Sequence, residues 1–220
     1  MARFRLAIAN KNYSSWSLRA WMAIREFDID FDEEVIPLDT PNTKRLIAKH
    51  SGAGRLPVLH HGKITVWDSL AILEYLAEVF PDRGLWPKRL GARAAARAIA
   101  NEMHSGFLAL RNACPMNLRR GRKPLRDPLS DQARADIARI ESLWKDCRKE
   151  YGKAGPFLFG RFTIADAMYA PVATRFDTYA IPVSRSSRDY MDTIFGTRAF
   201  SAWKSQALKE QWVIAADEVD

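Results

Sequence analysis

Two cysteines and four histidines are all that the 220 residues offer to disulfide or soft-metal chemistry. Cys114 and Cys147 fall in separate helix-like segments without a paired motif, which excludes a disulfide framework and leaves reduced, packed thiols. His60 and His61 are adjacent and face opposite sides of a strand, and His50 and His104 have no ligand-type neighbour in sequence, so no metal site is expected. Residues 1–80 contain no cysteine, so chemistry that starts from a protein thiolate there lacks its nucleophile. No apolar run approaches the ~18 residues of a membrane span. The opening MARFRLAIANKNY lacks the long apolar core of a secretory leader, and a cytoplasmic protein is expected. Internal repeats and low-complexity tracts are also missing.

What is present is an ordinary globular composition, 47% hydrophobic, in a chain long enough for one large domain or two small ones. The net charge of +8 is unevenly placed: residues 81–127 carry eleven basic and three acidic side chains, while the flanking segments balance. The excess peaks in RRGRKPLR (119–126). A run of this kind can meet phosphates or an anionic surface. It has no aromatic residue to stack on bases and no nucleic-acid motif around it, so it reads as a solvated loop, and no nucleic-acid partner is expected.

Periodicity predicts strands at 4–10 and 31–38, helices at 17–27 and 43–50, two short strands around His61-Gly62, and a helix at 68–80 that opens on capping residues. This βαβαββα order suits a small mixed sheet with helices on both faces. PDRGLWPKRL (81–90) breaks both periods and reads as a linker. Beyond it the pattern is helical: 92–113, 130–151 with Ile137, Ile140, Trp144 and Cys147 on one stripe, and 163–176 with Thr163 and Asp166 spaced as a capping box. The fold class expected is α/β followed by all-α. The stretch NYSSWSLRAW (12–21) stands where the first strand passes into the first helix. Its hydroxyls suit a helix cap, and they equally suit chemistry.

Four features, in order, resemble the glutathione transferase superfamily. The serine loop is similar to the SSCSW loop of the zeta class and, more loosely, to phi and theta loops. RLPVL is similar to the superfamily's Val/Leu-Pro element with a cis-proline, WDSLAILEYLAE to its Glu/Asp-Ser-x-Ala-Ile motif, and FLFGRFTIADA to its capping box and hydrophobic staple. The resemblance covers residues 1–80 and 155–176. It implies a thioredoxin-like glutathione-binding domain (1–80), the linker (81–90) and an all-helical C-terminal domain (91–220). It also implies glutathione as co-substrate, no metal, a small hydrophobic electrophile and a homodimer built on the face of 68–80 and the helix from 92.

The implied reaction is attack by a thiol, and a free thiol of pKa ~8.5 is only slightly ionised at neutral pH. Lowering that pKa by about two units takes ~2.7 kcal/mol, the scale of one charge-assisted hydrogen bond plus a helix N-terminus. Counting back from IDFDEE puts Arg19 on the superfamily's helix-one arginine and favours Ser14 at the catalytic position. Ser15 is one register step away, Tyr13 is a third hydroxyl, and Ser17 reads as a cap or helix-facing residue. The resemblance further implies that the Leu56 backbone, held by Pro57, pairs with the cysteinyl moiety, as an extended peptide adds to a strand edge. Asp68 takes the γ-glutamyl ammonium, and Ser69 with the helix-start amides takes its carboxylate. Arg55 is a further donor and Lys44 a partner for the glycyl carboxylate. The second-substrate pocket draws on Tyr13, Met103, His104, Phe107 and Arg111, with Met116 beyond; for this helix stripe, plain core is the competing reading. Trp16 replaces the zeta-class cysteine. That departure counts against a glutathione-dependent isomerase of the maleylacetoacetate type, which the retained serines keep open as a second reading; a non-catalytic binding protein is the third.

Overall fold

The computed structural model describes residues 3–220. Strand β1 (Phe4–Ile8) is the hub: β2 (Phe31–Val35) pairs with it in parallel, β3 (Val58–His61) antiparallel, and β4 (Ile64–Trp67) follows, giving the order β2-β1-β3-β4. A parallel pair needs a crossover, and helix α1 (Ser15–Glu26) supplies it. Gly62 turns the β3–β4 hairpin at φ +61°, where a side chain would be strained. Alternation sends Leu6, Ile8 and Leu59 to the face covered by α1 and α3 (Ser69–Val79). Ala7 and Val58 face the other way and meet Ile36 and Ile47, the latter on α2 (Thr43–Ala48). The second strand stops at Val35, earlier than the alternation predicts: the Ile36 N–H still reaches the Ile8 carbonyl at 2.8 Å, but the next donor in line, the Leu38 N–H, turns to the Asn10 side chain at 2.7 Å.

After Val79 the chain makes a 3₁₀ turn at Pro81–Arg83 and enters a helical unit: α4 (Leu90–Ser105), α5 (Leu108–Ala113), α6 (Asp131–Tyr151), α7 (Ile164–Thr178), α8 (Arg185–Phe195) and α9 (Arg198–Ala207). The single helix expected over 92–113 is in fact two. A Cβ on Gly106 would lie 2.6 Å from the Glu102 carbonyl oxygen, and Phe107 takes the left-handed conformation at φ +57°. The helix restarts because the Asp136 carboxylate of α6 accepts from the Leu110 N–H at 3.0 Å.

Helix α7 starts on the predicted capping box. The Asp166 carboxylate accepts from the Thr163 N–H (2.8 Å) and Oγ1 (2.9 Å), and also from Leu158 N–H and the Tyr190 hydroxyl, both at 3.1 Å. Burial outweighs these donors and raises its carboxyl to about 6. Helix α1 packs on α7 and α9, and α3 on α4, so one hydrophobic core runs through both units. Cys114 and Cys147 are free and buried, with their thiols pushed up to about 11 and about 12 by desolvation. Among the described residues no helix is long and apolar enough to cross a membrane.

Candidate active site

The two hydroxyls at the head of α1 are used differently. Ser14 is the N-cap: its Oγ accepts from the Ser17 N–H at 3.3 Å and donates to Ser17 Oγ at 2.9 Å. Ser17 Oγ in turn accepts from the Ala9 N–H at 3.0 Å, knotting the strand end to the helix. Ser15, the first helical residue, is 8% exposed and accepts from Arg175 Nη2 at 3.2 Å. Its own proton meets no acceptor among the described residues. Both serines line a pocket of about 270 Å³ between the two units, with Tyr13, Trp16, Met116, Arg111 and Arg175. A larger groove of about 700 Å³ beside α7 and α9 is lined by neither serine.

Three arginines give the pocket its field. Arg175 is buried in α7 and also donates to the carbonyls of Cys114 (2.8 Å) and Pro171 (3.2 Å). Arg19 and Arg111 both lie over the Trp16 ring, with guanidinium carbons 4.4 and 4.9 Å from its centroid. Burial, then the neighbouring guanidiniums, pulls Arg19 down to about 9 and Arg175 to about 10; burial alone lowers Arg111. All three stay cationic at neutral pH. The site therefore favours anions over neutral forms.

A second corner surrounds Asp68. This residue, at φ +78°, caps α3 through Oδ1, which accepts from Leu70 N–H (2.9 Å) and Ala71 N–H (3.3 Å), while Oδ2 lies 3.3 Å from His104 Nε2. His104 meets the Trp16 ring edge-on at 5.3 Å, which links this corner to the serine loop. Ser69 Oγ, His104 Nδ1, and Arg19 Nε and Nη1 are buried without a protein partner among the described residues. These unpartnered polar atoms gather polar character near the Asp68 carboxylate. The Leu56–Pro57 bond is cis, and Leu56 lies just ahead of the ladder that begins at Val58.

The remaining expected residues scatter. Tyr13 and Arg111 line the interdomain pocket, whereas Met103 is wholly within the core and Phe107 is buried at the α4–α5 break. Arg55 and Lys44 are exposed, without a side-chain hydrogen bond or ion pair among the described residues. The basic run is not the solvated loop expected at 119–120, because both arginines are consumed by carbonyl groups of the protein. Sequence reasoning missed Arg175. The available signal was an arginine in the second half of the mostly apolar IADAMYAPVATRF, whose Asp166 is explained by the cap while Arg175 is not, since a buried guanidinium needs a polar reason to be there.

A thioredoxin-like sheet unit joined to a helical unit, with a serine loop at their junction and a cis-proline ahead of the third strand, defines a two-domain architecture. The family profile described as "Glutathione S-transferase, N-terminal domain" matches residues 13–79, and "Glutathione S-transferase, C-terminal domain" matches 119–204. The chain belongs to the glutathione S-transferase superfamily. It is 29% identical over 176 residues to glutathione S-transferase 1 of Dianthus caryophyllus, covering 76% of this chain and 75% of that one. It is 33% identical over 98 residues to a probable maleylacetoacetate isomerase of Caenorhabditis elegans, covering 44% and 45%. A glutathione transferase homolog from Burkholderia GL BGR1, solved with bound glutathione, superposes with TM-score 0.71 at 21% identity over 93% of this chain and 98% of that one. Glutathione transferase Omega 1C from Trametes versicolor superposes with TM-score 0.70 at 19% identity, covering 95% and 94%. At these identities the structural likeness is one of fold.

Proposed function

We propose that this chain is a glutathione transferase in which the Ser15 hydroxyl holds the glutathione thiolate for attack on an electrophile in the interdomain pocket. The observation that carries this reading is the difference between the two serines. Ser14 spends its hydroxyl on the cap and on Ser17, while Ser15 keeps a free proton and has its oxygen polarised by Arg175. The preference thus moves one residue along from Ser14. Position at the head of α1 adds the helix dipole to the stabilisation of an anion. In the second corner, Asp68 suits the γ-glutamyl ammonium and Ser69 its carboxylate, with the Leu56 backbone available to the cysteinyl unit.

The arginine cluster also speaks to the second substrate. Arg111 and Arg175 beside the Trp16 ring suit an electrophile that carries a carboxylate next to an unsaturated or aromatic body. This favours, as a second reading, glutathione-dependent cis-trans isomerisation of an unsaturated diketo acid. There Ser15 would hold the sulfur anion both as the bond to carbon forms and as it breaks, with no glutathione consumed. Family likeness supports a homodimer in the cytoplasm; exposed Ile64, Trp67 and Leu90 flank the elements expected at the interface, and sedimentation checks it.

An ultraviolet difference titration of the glutathione-bound protein tests the central reading. A bound thiol well below the pKa of free glutathione, with turnover of 1-chloro-2,4-dinitrobenzene, is the expected result. Turnover of a diketo acid without loss of glutathione would move the assignment to the isomerase. Binding without any shift in the thiol would leave only a binding protein.

A further inference from the structure

The basic run at 119–126 plays no part in the chemistry above, yet its side chains are committed. Arg119 Nη1 donates to the Glu210 carbonyl, and Nη2 donates to the Trp212 carbonyl and the Tyr13 hydroxyl, each at 2.7 Å. Arg120 Nε donates to the Val219 carbonyl at 3.1 Å, and Lys123 pairs with Asp220 at 2.8 Å. The Arg126 N–H adds a bond to the Asp220 carbonyl at 3.2 Å. Residues 210–220 are therefore tied down at both ends. Between the ties, a 3₁₀ turn at Ala215–Asp217 keeps Ala215 and Ala216 exposed and leaves Asp217 partly covered. Ile214 and Asp217 line the serine pocket together with Ser15, Arg111 and Arg175, and the Tyr13 hydroxyl donates to Glu218.

Asp217 is the one acidic side chain lining a pocket otherwise charged by guanidiniums. Burial raises its carboxyl above the usual range against the pull of Arg175. Asp217 shares the pocket lining with Arg111 and Arg175 without forming an ion pair with either among the described residues, so its charge offsets part of the field that an incoming anion would use and costs that anion affinity.

We propose that the strap formed by residues 210–220 makes Asp217 the specificity-determining residue of the pocket, a fixed negative charge in the same lining as Arg111 and Arg175 that repels anionic second substrates and leaves neutral ones unaffected. The proposal rests on reading this pocket as the second-substrate site, and its test does not depend on turnover.

Maleate, a small dianion, is titrated calorimetrically into the full-length protein and its Asp217→Asn and Glu218→Gln variants without glutathione. Asp217→Asn is expected to bind maleate about tenfold more tightly, the equivalent of ~1.4 kcal/mol. Glu218→Gln, whose carboxylate is turned to Tyr13, is expected to stay within about twofold, a few tenths of a kcal/mol. In parallel, the kcat/KM for 4-chloro-3,5-dinitrobenzoate relative to that for uncharged 1-chloro-2,4-dinitrobenzene should rise in Asp217→Asn alone. Maleate affinity that is unchanged, weaker or undetectable in Asp217→Asn overturns the proposal. Tighter maleate binding with neither aryl chloride turned over keeps the strap and removes the transferase reading. An unchanged maleate affinity with brisk turnover does the reverse.

Discussion

Replacing Ser15 by alanine isolates the thiolate contact from the helix cap. A hydrogen bond to an ionised partner contributes ~1.5–3 kcal/mol, so at 1.36 kcal/mol per unit the bound glutathione thiol should titrate about 1–2 units higher in Ser15→Ala. Arg175 loses one acceptor in that variant but keeps the carbonyls of Cys114 and Pro171, so global stability should fall by less than about 1 kcal/mol. Ser14→Ala should show the opposite pattern. It removes the α1 cap and costs ~1 kcal/mol in denaturant unfolding, while leaving the bound thiol within about half a unit of wild type. The assay is the thiolate-band difference titration on all three proteins, paired with urea melts. A thiol that reverts in Ser14→Ala and stays depressed in Ser15→Ala would refute the argument from donor availability.

Three further outcomes follow from the packing. Arg175→Lys keeps the charge but cannot hold Ser15 and two carbonyls at once, so the bound thiol pKa should rise and stability should fall by about 2 kcal/mol in urea unfolding. Asp166 has its carboxyl raised in the folded protein, so the native state binds a proton that the unfolded chain has released. Wild-type stability should therefore drop by about 3 kcal/mol relative to Asp166→Asn as pH rises from ~4 to ~6, and the two curves should run parallel above that. Urea melts across that window check it, and parallel curves throughout would count against the raised carboxyl. Lys11 is 2% exposed, pairs with Glu33 and sits over the rings of Trp21 and Trp203, with desolvation lowering its pKa against Glu33. Lys11→Met should cost ~3 kcal/mol in chemical denaturation, because Glu33 loses its cation in a half-buried setting.

Local patterns carried the sheet unit in sequence because its signals are short-range. FRLAI is an apolar run next to capping serines, Asp68 announces α3, and the Thr163 and Asp166 pair marks the start of α7. The α4–α5 break was hidden, since Gly106 in an alanine-rich helical run looks tolerable until the Glu102 carbonyl is placed beside it. Helices α8 and α9 went undetected, being only eleven and ten residues long. Arg175 and Asp217 were beyond reach for another reason. Ser15 and Arg175 are 160 residues apart, and nothing in either neighbourhood specifies the other. The choice between Ser14 and Ser15 likewise depended on which hydroxyl was already engaged, a matter of hydrogen-bond geometry that spacing does not encode.

The backbone of the serine loop is held from the far end of the polypeptide. Glu210 accepts from the N–H groups of Lys11 and Asn12 at 2.7 and 2.9 Å, contacts that span 199 and 198 positions. During synthesis the sheet residues emerge first and can pair early, yet the turn that presents the hydroxyls must wait until Glu210 has left the ribosome. The thiol activation proposed for Ser15 would thus be acquired later than the sheet. A nascent or C-terminally clipped molecule would own a well-formed sheet and a loosely held nucleophile site, a natural delay between folding and reactivity.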